Sequence, residues 1–115
     1  MVIRMSTDGS TLTVWLTGEL DHHAARTMRE QIDAAVERSS AKTLRLDFSG
    51  VGFMDSSGIG LLIGRYRQMK LLGGEMRIVS SDKAVSKMLT VSGIRKLVRV
   101  YRSVNDALKE GAACE

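Results

Sequence analysis

The sequence predicts an α/β domain, a small mixed β-sheet packed with about four α-helices. Three patterns carry that expectation. Short runs with period-two apolar alternation occur along the chain, segments with helical spacing lie between them, and a turn signal separates the first two extended runs. Such alternation builds a sheet whose strands are joined by helical crossovers and are therefore parallel, here after an opening antiparallel hairpin. The 115 residues are expected to form one domain over 1–115. That size buries roughly two-thirds of the unfolded surface and needs no covalent staple.

In "TLTVWLTG" (11–18), Leu12, Val14 and Leu16 alternate with Thr11, Thr13 and Trp15, the pattern of a half-buried strand. "STDG" before it reads as a turn, with Val2–Met5 as the partner strand. The period then changes. Ala25, Met28, Ile32, Ala35 and Val36 recur at helical spacing behind Asp21, a suitable N-cap, and Leu20, a suitable staple before it. "KTLRLDF" (42–48) is a second alternating strand, with Leu44, Leu46 and Phe48 facing inward. After a loop "SGVGFMDSS", a helix carries Ile59, Leu62, Ile63, Tyr66 and Met69 and stops at Gly73-Gly74. "EMRIVS" (75–80) is the next strand, and 82–93 a short helix capped by Asp82 and stopped by Gly93. "KLVRVY" (96–101) reads as an edge strand, and 103–111 as a terminal helix capped by Ser103.

Composition narrows the function classes. The chain carries 17 Lys and Arg against 13 Asp and Glu, a net charge of +4, with a pI near 9.6. The basic residues are spread along the chain among acids, the pattern of a solvated face. Aromatic residues at 4% leave little to stack on bases, so no direct nucleic-acid partner is expected. The single cysteine, Cys114, cannot form an internal disulfide, which suits a reducing compartment. The N-terminus lacks a secretory apolar run, and no stretch approaches the ~20 apolar residues of a membrane span. A cytoplasmic protein without membrane contact is expected.

The chemistry concentrates in "GFMDSSGIGLLIG" (52–64). The predicted loop leaves the carboxyl end of a strand, where α/β domains place their sites. The helix start behind it offers unpaired N–H groups and partial positive charge, which suit an anionic oxygen. Asp55, Ser56 and Ser57 are capping residue types, but one cap needs one polar side chain. A hydrolase elbow would place glycine two residues before the serine; Met54 and Asp55 stand there instead. His22 and His23, the only histidines, belong to the first helix, and no spacing brings them to the serines. A phosphate loop needs lysine after its last glycine, whereas Ile59 follows Gly58. Gly60 and Gly64, one turn apart, suit a close backbone approach or a bare strip on the helix. Adjacent histidines diverge by about 100° on a helix and there is no cysteine cluster, so no metal is expected. A hydroxyl without catalytic machinery reads as a substrate. A nucleotide-binding or NTP-hydrolysing domain is the alternative from another class.

"LTGELDHHAARTMREQI", "FMDSSGIGLLIGRYRQMKLLGGEMRIV" and "VSKMLTVSGIRKLVRVYRSVNDAL" resemble, in order and spacing, the bacterial anti-sigma factor antagonists of the STAS domain family. The likeness runs from about Thr11 to Leu108 and favours the sporulation branch over a stress-response pathway. It implies a STAS-like fold and no enzymatic activity or cofactor. It further implies that the unmodified chain binds an anti-sigma factor that is itself a serine kinase holding ATP or ADP, freeing a sigma factor. The kinase then phosphorylates the antagonist, and a PP2C-like phosphatase reverses this. The resemblance puts the phosphate on Ser56, directly after Asp55, with Ser57 as runner-up. It places Asp21, Asp55, Ser56, Ser57, Gly58, Ile59 and Gly60 at the partner surface, with Asp55 orienting the junction or meeting the kinase. The pI is more basic than the family would suggest, with arginines at 65, 67, 77, 95, 99 and 102, and leaves the junction untouched.

Overall fold

A computed structural model describes residues 1–106. Five strands lie in the order β1-β2-β3-β4-β5, the order of the chain. β1 (Val2–Asp8) is antiparallel to β2 (Thr11–Leu20), and β3 (Thr43–Met54), β4 (Glu75–Val79) and β5 (Arg99–Tyr101) run parallel to β2. The crossovers are α1 (His22–Ser39), α2 (Ser56–Leu71) and α3 (Lys83–Ser92), the last followed by a 3-10 turn at Ile94–Lys96.

The alternating positions form the core. Leu12, Val14 and Leu16 of β2, Leu44, Leu46 and Phe48 of β3, and Met76 and Ile78 of β4 are all buried. Against them lie Met28, Ile32 and Val36 of α1, Leu62 and Met69 of α2, and Val85 and Leu89 of α3. Sequestering such side chains from water is the main favourable term in folding. Asp82 caps α3 by accepting from the Val85 amide at 3.0 Å, and Gly93 ends it in the left-handed region at φ 81°.

Several boundaries differ from expectation. Ser6, Thr7 and Asp8 belong to β1, and the turn is the two residues Gly9-Ser10, since Asp8 pairs with Thr11. Gly9 supplies the positive φ of 60° that a tight hairpin needs. Only Arg99–Tyr101 of the expected 96–101 strand pair with β4, because Lys96 lies in the 3-10 turn; β5 is nonetheless the sheet edge. The expected terminal helix over 103–111 falls largely outside the described residues. Its cap is seen: the Ser103 hydroxyl accepts from the Asp106 amide at 3.2 Å.

The largest correction concerns "SGVGFM" (49–54). It is not a loop but the second half of β3, paired with the end of β2. The pairing absorbs two extra residues, at the shifts between Trp15↔Asp47 and Thr17↔Gly50 and between Gly18↔Val51 and Glu19↔Phe53. These β-bulges break the period of two. Phe48, Val51 and Met54 are therefore buried at steps of three. Buried Asp47 accepts from the Ser49 amide at 2.9 Å, satisfying a donor at the first bulge.

The bulged half makes different demands on its two glycines. A Cβ on Gly50 would lie 2.7 Å from Thr17 Oγ1 and 2.9 Å from the Leu16 carbonyl, whereas one on Gly52 would meet nothing. Gly50→Ala is accordingly expected to lower stability by about 1–3 kcal/mol through overpacking. Gly52→Ala should stay within about 0.5 kcal/mol of the parent. Urea unfolding of the two variants checks the contrast.

Candidate functional site

The site lies at the carboxyl rim of β2 and β3. Leu20 and Met54, the last residues of these strands, are paired in register. The next residue on each strand is an aspartate that caps a helix. Asp21 Oδ1 accepts from the Ala24 amide at 2.9 Å at the start of α1. Asp55 Oδ1 accepts from the Ser57 amide at 2.8 Å at the start of α2. The Asp55 amide donates to the Leu20 carbonyl at 3.3 Å and ties the two starts together. Asp55 thus caps α2 with its side chain and links it to the end of β2 with its amide.

The two serines sit in different surroundings. Ser56, the first residue of α2, is exposed, and none of the described hydrogen bonds engages its hydroxyl. Ser57 is half-buried, and its Oγ lies 3.2 Å from His22 Nδ1. This contact corrects the expectation that nothing brings a histidine to the serines. Parallel pairing of β2 with β3 does so, by setting the first turn of α1 beside that of α2. His23 diverges to the other side of α1, beside Glu19 and Asp21. His22 was missed because the contact spans 35 residues; "DHH" directly after a strand was the only available signal.

Three glycines follow the serines. Gly58 is buried, and a Cβ there would collide with the Met54 side chain and press on Leu20. It was expected at the partner surface, but what it provides is close packing of the helix start onto the strand ends. Ile59 is half-buried and Gly60 exposed, so these two remain available to a partner. Cβ atoms on Gly60 and Gly64 would meet nothing within 4 Å, so these glycines leave a bare strip rather than a close approach. A groove of about 550 Å³ runs there between α1 and α2, lined by His22, Arg26, Arg29, Ser57, Gly60 and Arg65 among others.

Arg65 ties the two helices below the groove. Its Nε lies 3.0 Å from Asp33 Oδ1. The approach lacks hydrogen-bond directionality, so the contact is ionic rather than a directed hydrogen bond. Burial pulls the Arg65 guanidinium below its usual pKa; Asp33 opposes that shift and Arg29 adds to it.

This geometry argues against the two catalytic readings. A serine hydrolase needs an acceptor that orients the far nitrogen of the histidine, and among the described residues none bonds His22 Nε2. A phosphate cradle needs free amides at the helix start. The Ser57 amide is held by the Asp55 carboxylate, and the Gly58 amide by the Asp55 carbonyl at 3.0 Å.

The profile of the STAS domain family matches residues 2–107, and the chain, with its rim of two capped helix starts, belongs to that family. Within it the chain groups with the anti-sigma factor antagonists, which are regulatory proteins. It is 37% identical over 94% of its length to the anti-sigma F factor antagonist of Paenibacillus polymyxa, covering 92% of that protein. The fold is similar to the anti-sigma factor antagonist SpoIIAA in its unphosphorylated form, with a TM-score of 0.81, 27% identity and 97% of each chain covered. It is also similar to the Bacillus cell fate determinant SpoIIAA in the phosphorylated form, with a TM-score of 0.73 and 27% identity, covering 95% of this chain and 98% of that one.

Removing a cap separates its structural role from any other. Asp55→Ala frees the Ser57 amide and is expected to cost about 1 kcal/mol, while Asp55→Asn keeps an acceptor and costs less. Thermal unfolding, with amide exchange of Ser57 as a local readout, checks both.

Proposed function

We propose that the unmodified chain docks, through the rim around Ser56, onto an anti-sigma factor that is a serine kinase carrying ATP or ADP. Docking releases a sigma factor of the sporulation type. Phosphorylation of Ser56 ends it, and a PP2C-like phosphatase restores it, all in the cytoplasm. The observation that carries this reading is the Ser56 hydroxyl itself, exposed and unengaged at the first position of a capped helix. Kinship with anti-sigma factor antagonists supports the partner class.

Phosphorylation adds about −1.5 to −2 charge. A helix N-terminus tolerates that charge locally, so the fold has no reason to rearrange. The same fold in the unphosphorylated and phosphorylated SpoIIAA structures agrees with this. The loss falls on the interface instead. The new charge would stand beside the Asp55 carboxylate and would be desolvated by the docked partner. An uncompensated buried charge costs several kcal/mol, and each tenfold loss of affinity needs only about 1.4 kcal/mol. Local repulsion therefore suffices to part the complex. Asp21, Ile59 and Gly60 complete the contact surface in this reading.

Incubation with a cognate kinase and ATP, followed by intact-mass and peptide analysis, tests the assignment. One phosphoryl group on Ser56 is expected. Ser56→Ala should take up none while still binding the kinase, and Ser56→Asp should bind more weakly. Labelling of Ser56→Ala would move the acceptor to Ser57 and overturn the assignment. Gly60→Ala separates folding from docking. It should gain about 0.5–1 kcal/mol in stability, because a helical glycine is replaced in open space, yet bind the kinase less tightly in calorimetry.

A further inference from the structure

We infer that His22 is a specificity-determining residue that withholds Ser57 from phosphorylation and so directs the kinase to Ser56. The inference rests on the reading of Ser56 as the acceptor. What it adds is the reason why one of two adjacent, chemically identical hydroxyls is chosen.

Ser56 and Ser57 differ by about 100° around the axis of α2. That rotation turns Ser57 toward α1, where His22 Nδ1 meets its Oγ at 3.2 Å, and leaves Ser56 at the surface. The contact engages Ser57 oxygen in either tautomer. With the proton on Nε2, Ser57 donates to Nδ1; with the proton on Nδ1, the ring donates to Ser57 Oγ. Transfer of a phosphoryl group requires the serine oxygen to align with the γ-phosphorus and pass its proton to a base of the kinase. A hydroxyl held by a neighbouring imidazole must first break that bond and rotate outward. Ser57 is anchored at a second point, because its amide donates to Asp55 at 2.8 Å. The position of His22 is itself fixed. Asp21 caps its helix, and the paired ends of β2 and β3 set that helix start beside α2. None of the described hydrogen bonds restrains the Ser56 hydroxyl.

The catalytic readings leave the His22–Ser57 pair without a task, and no capping bond needs it. His22 is exposed, so its replacement leaves the core intact. These features make it a positioning residue acting through Ser57.

The experiment maps phosphorylation by peptide mass analysis in the parent chain, His22→Ala, Ser56→Ala and the double variant, each incubated with a cognate kinase and ATP. The parent should carry phosphate on Ser56 alone, and His22→Ala on Ser56 with added label on Ser57. Ser57 labelling in the double variant should exceed that in Ser56→Ala by at least about tenfold, equivalent to about 1.4 kcal/mol of barrier. A double variant as inert as Ser56→Ala, with His22→Ala still labelled at Ser56, overturns the role of His22 and leaves the Ser56 reading standing. Parent chain labelled on Ser57, or on neither serine, overturns both. A readout free of the kinase is the imidazole ¹⁵N spectrum, in which Ser57→Ala should shift the His22 ring signals and Ser56→Ala should not. Unmoved His22 signals in Ser57→Ala overturn the contact on which the inference stands.

Discussion

The register that pairs Leu20 with Met54 is the constraint on which the site depends. Because two parallel strands end level, the next residue of each is free to cap a helix at the same height, and Asp21 and Asp55 do so. The hydrogen bond from the Asp55 amide to the Leu20 carbonyl closes the gap between them. Without the two bulges β3 would reach the rim out of step with β2, and the histidine of one helix would not meet the serine of the other.

Two helix starts side by side present like poles. Each carries roughly half a positive charge on its unpaired amides. The capping carboxylates of Asp21 and Asp55 offset that repulsion, and Arg65 with Asp33 holds the helices together farther along. The charges of the rim are therefore already balanced. A phosphoryl group on Ser56, in the proposed switch, leaves the capping bonds in place while changing what the surface shows to a partner. In that reading fold and recognition are decoupled at this point, as a reversible covalent signal requires.

Much of this was legible in the sequence, for local reasons. The alternation of Leu12, Val14 and Leu16, and of Leu44, Leu46 and Phe48, names two buried strand faces, and Asp21, Asp55 and Asp82 each precede a helix they cap. What stayed hidden was non-local. "SGVG" carries the residue types of a loop, and only pairing with Thr17 and Gly18 of β2 makes it strand. The bulges that permit the pairing also erase the period that would have announced it. Similarly, Ser56 and Ser57 are equivalent as letters. Their difference arises from the rotation of α2 against a histidine 35 positions from Ser57 in the chain, which no local pattern reports. Gly58 reads as part of a surface until Met54 and Leu20 are seen to crowd it.

The glycines of α2 carry one more consequence. Gly58, Gly60 and Gly64 fall within the first nine residues of the helix, and each costs helical order roughly 1 kcal/mol relative to alanine. The opening turns of α2 thus owe their shape to the sheet and to α1 rather than to their own propensity. The segment that bears Ser56, the acceptor in the proposed switch, is the part of the helix least able to stand alone. Packing around those turns supplies the order their glycines withhold, while the glycine-free stretch from Arg65 to Leu71 is anchored by buried Met69.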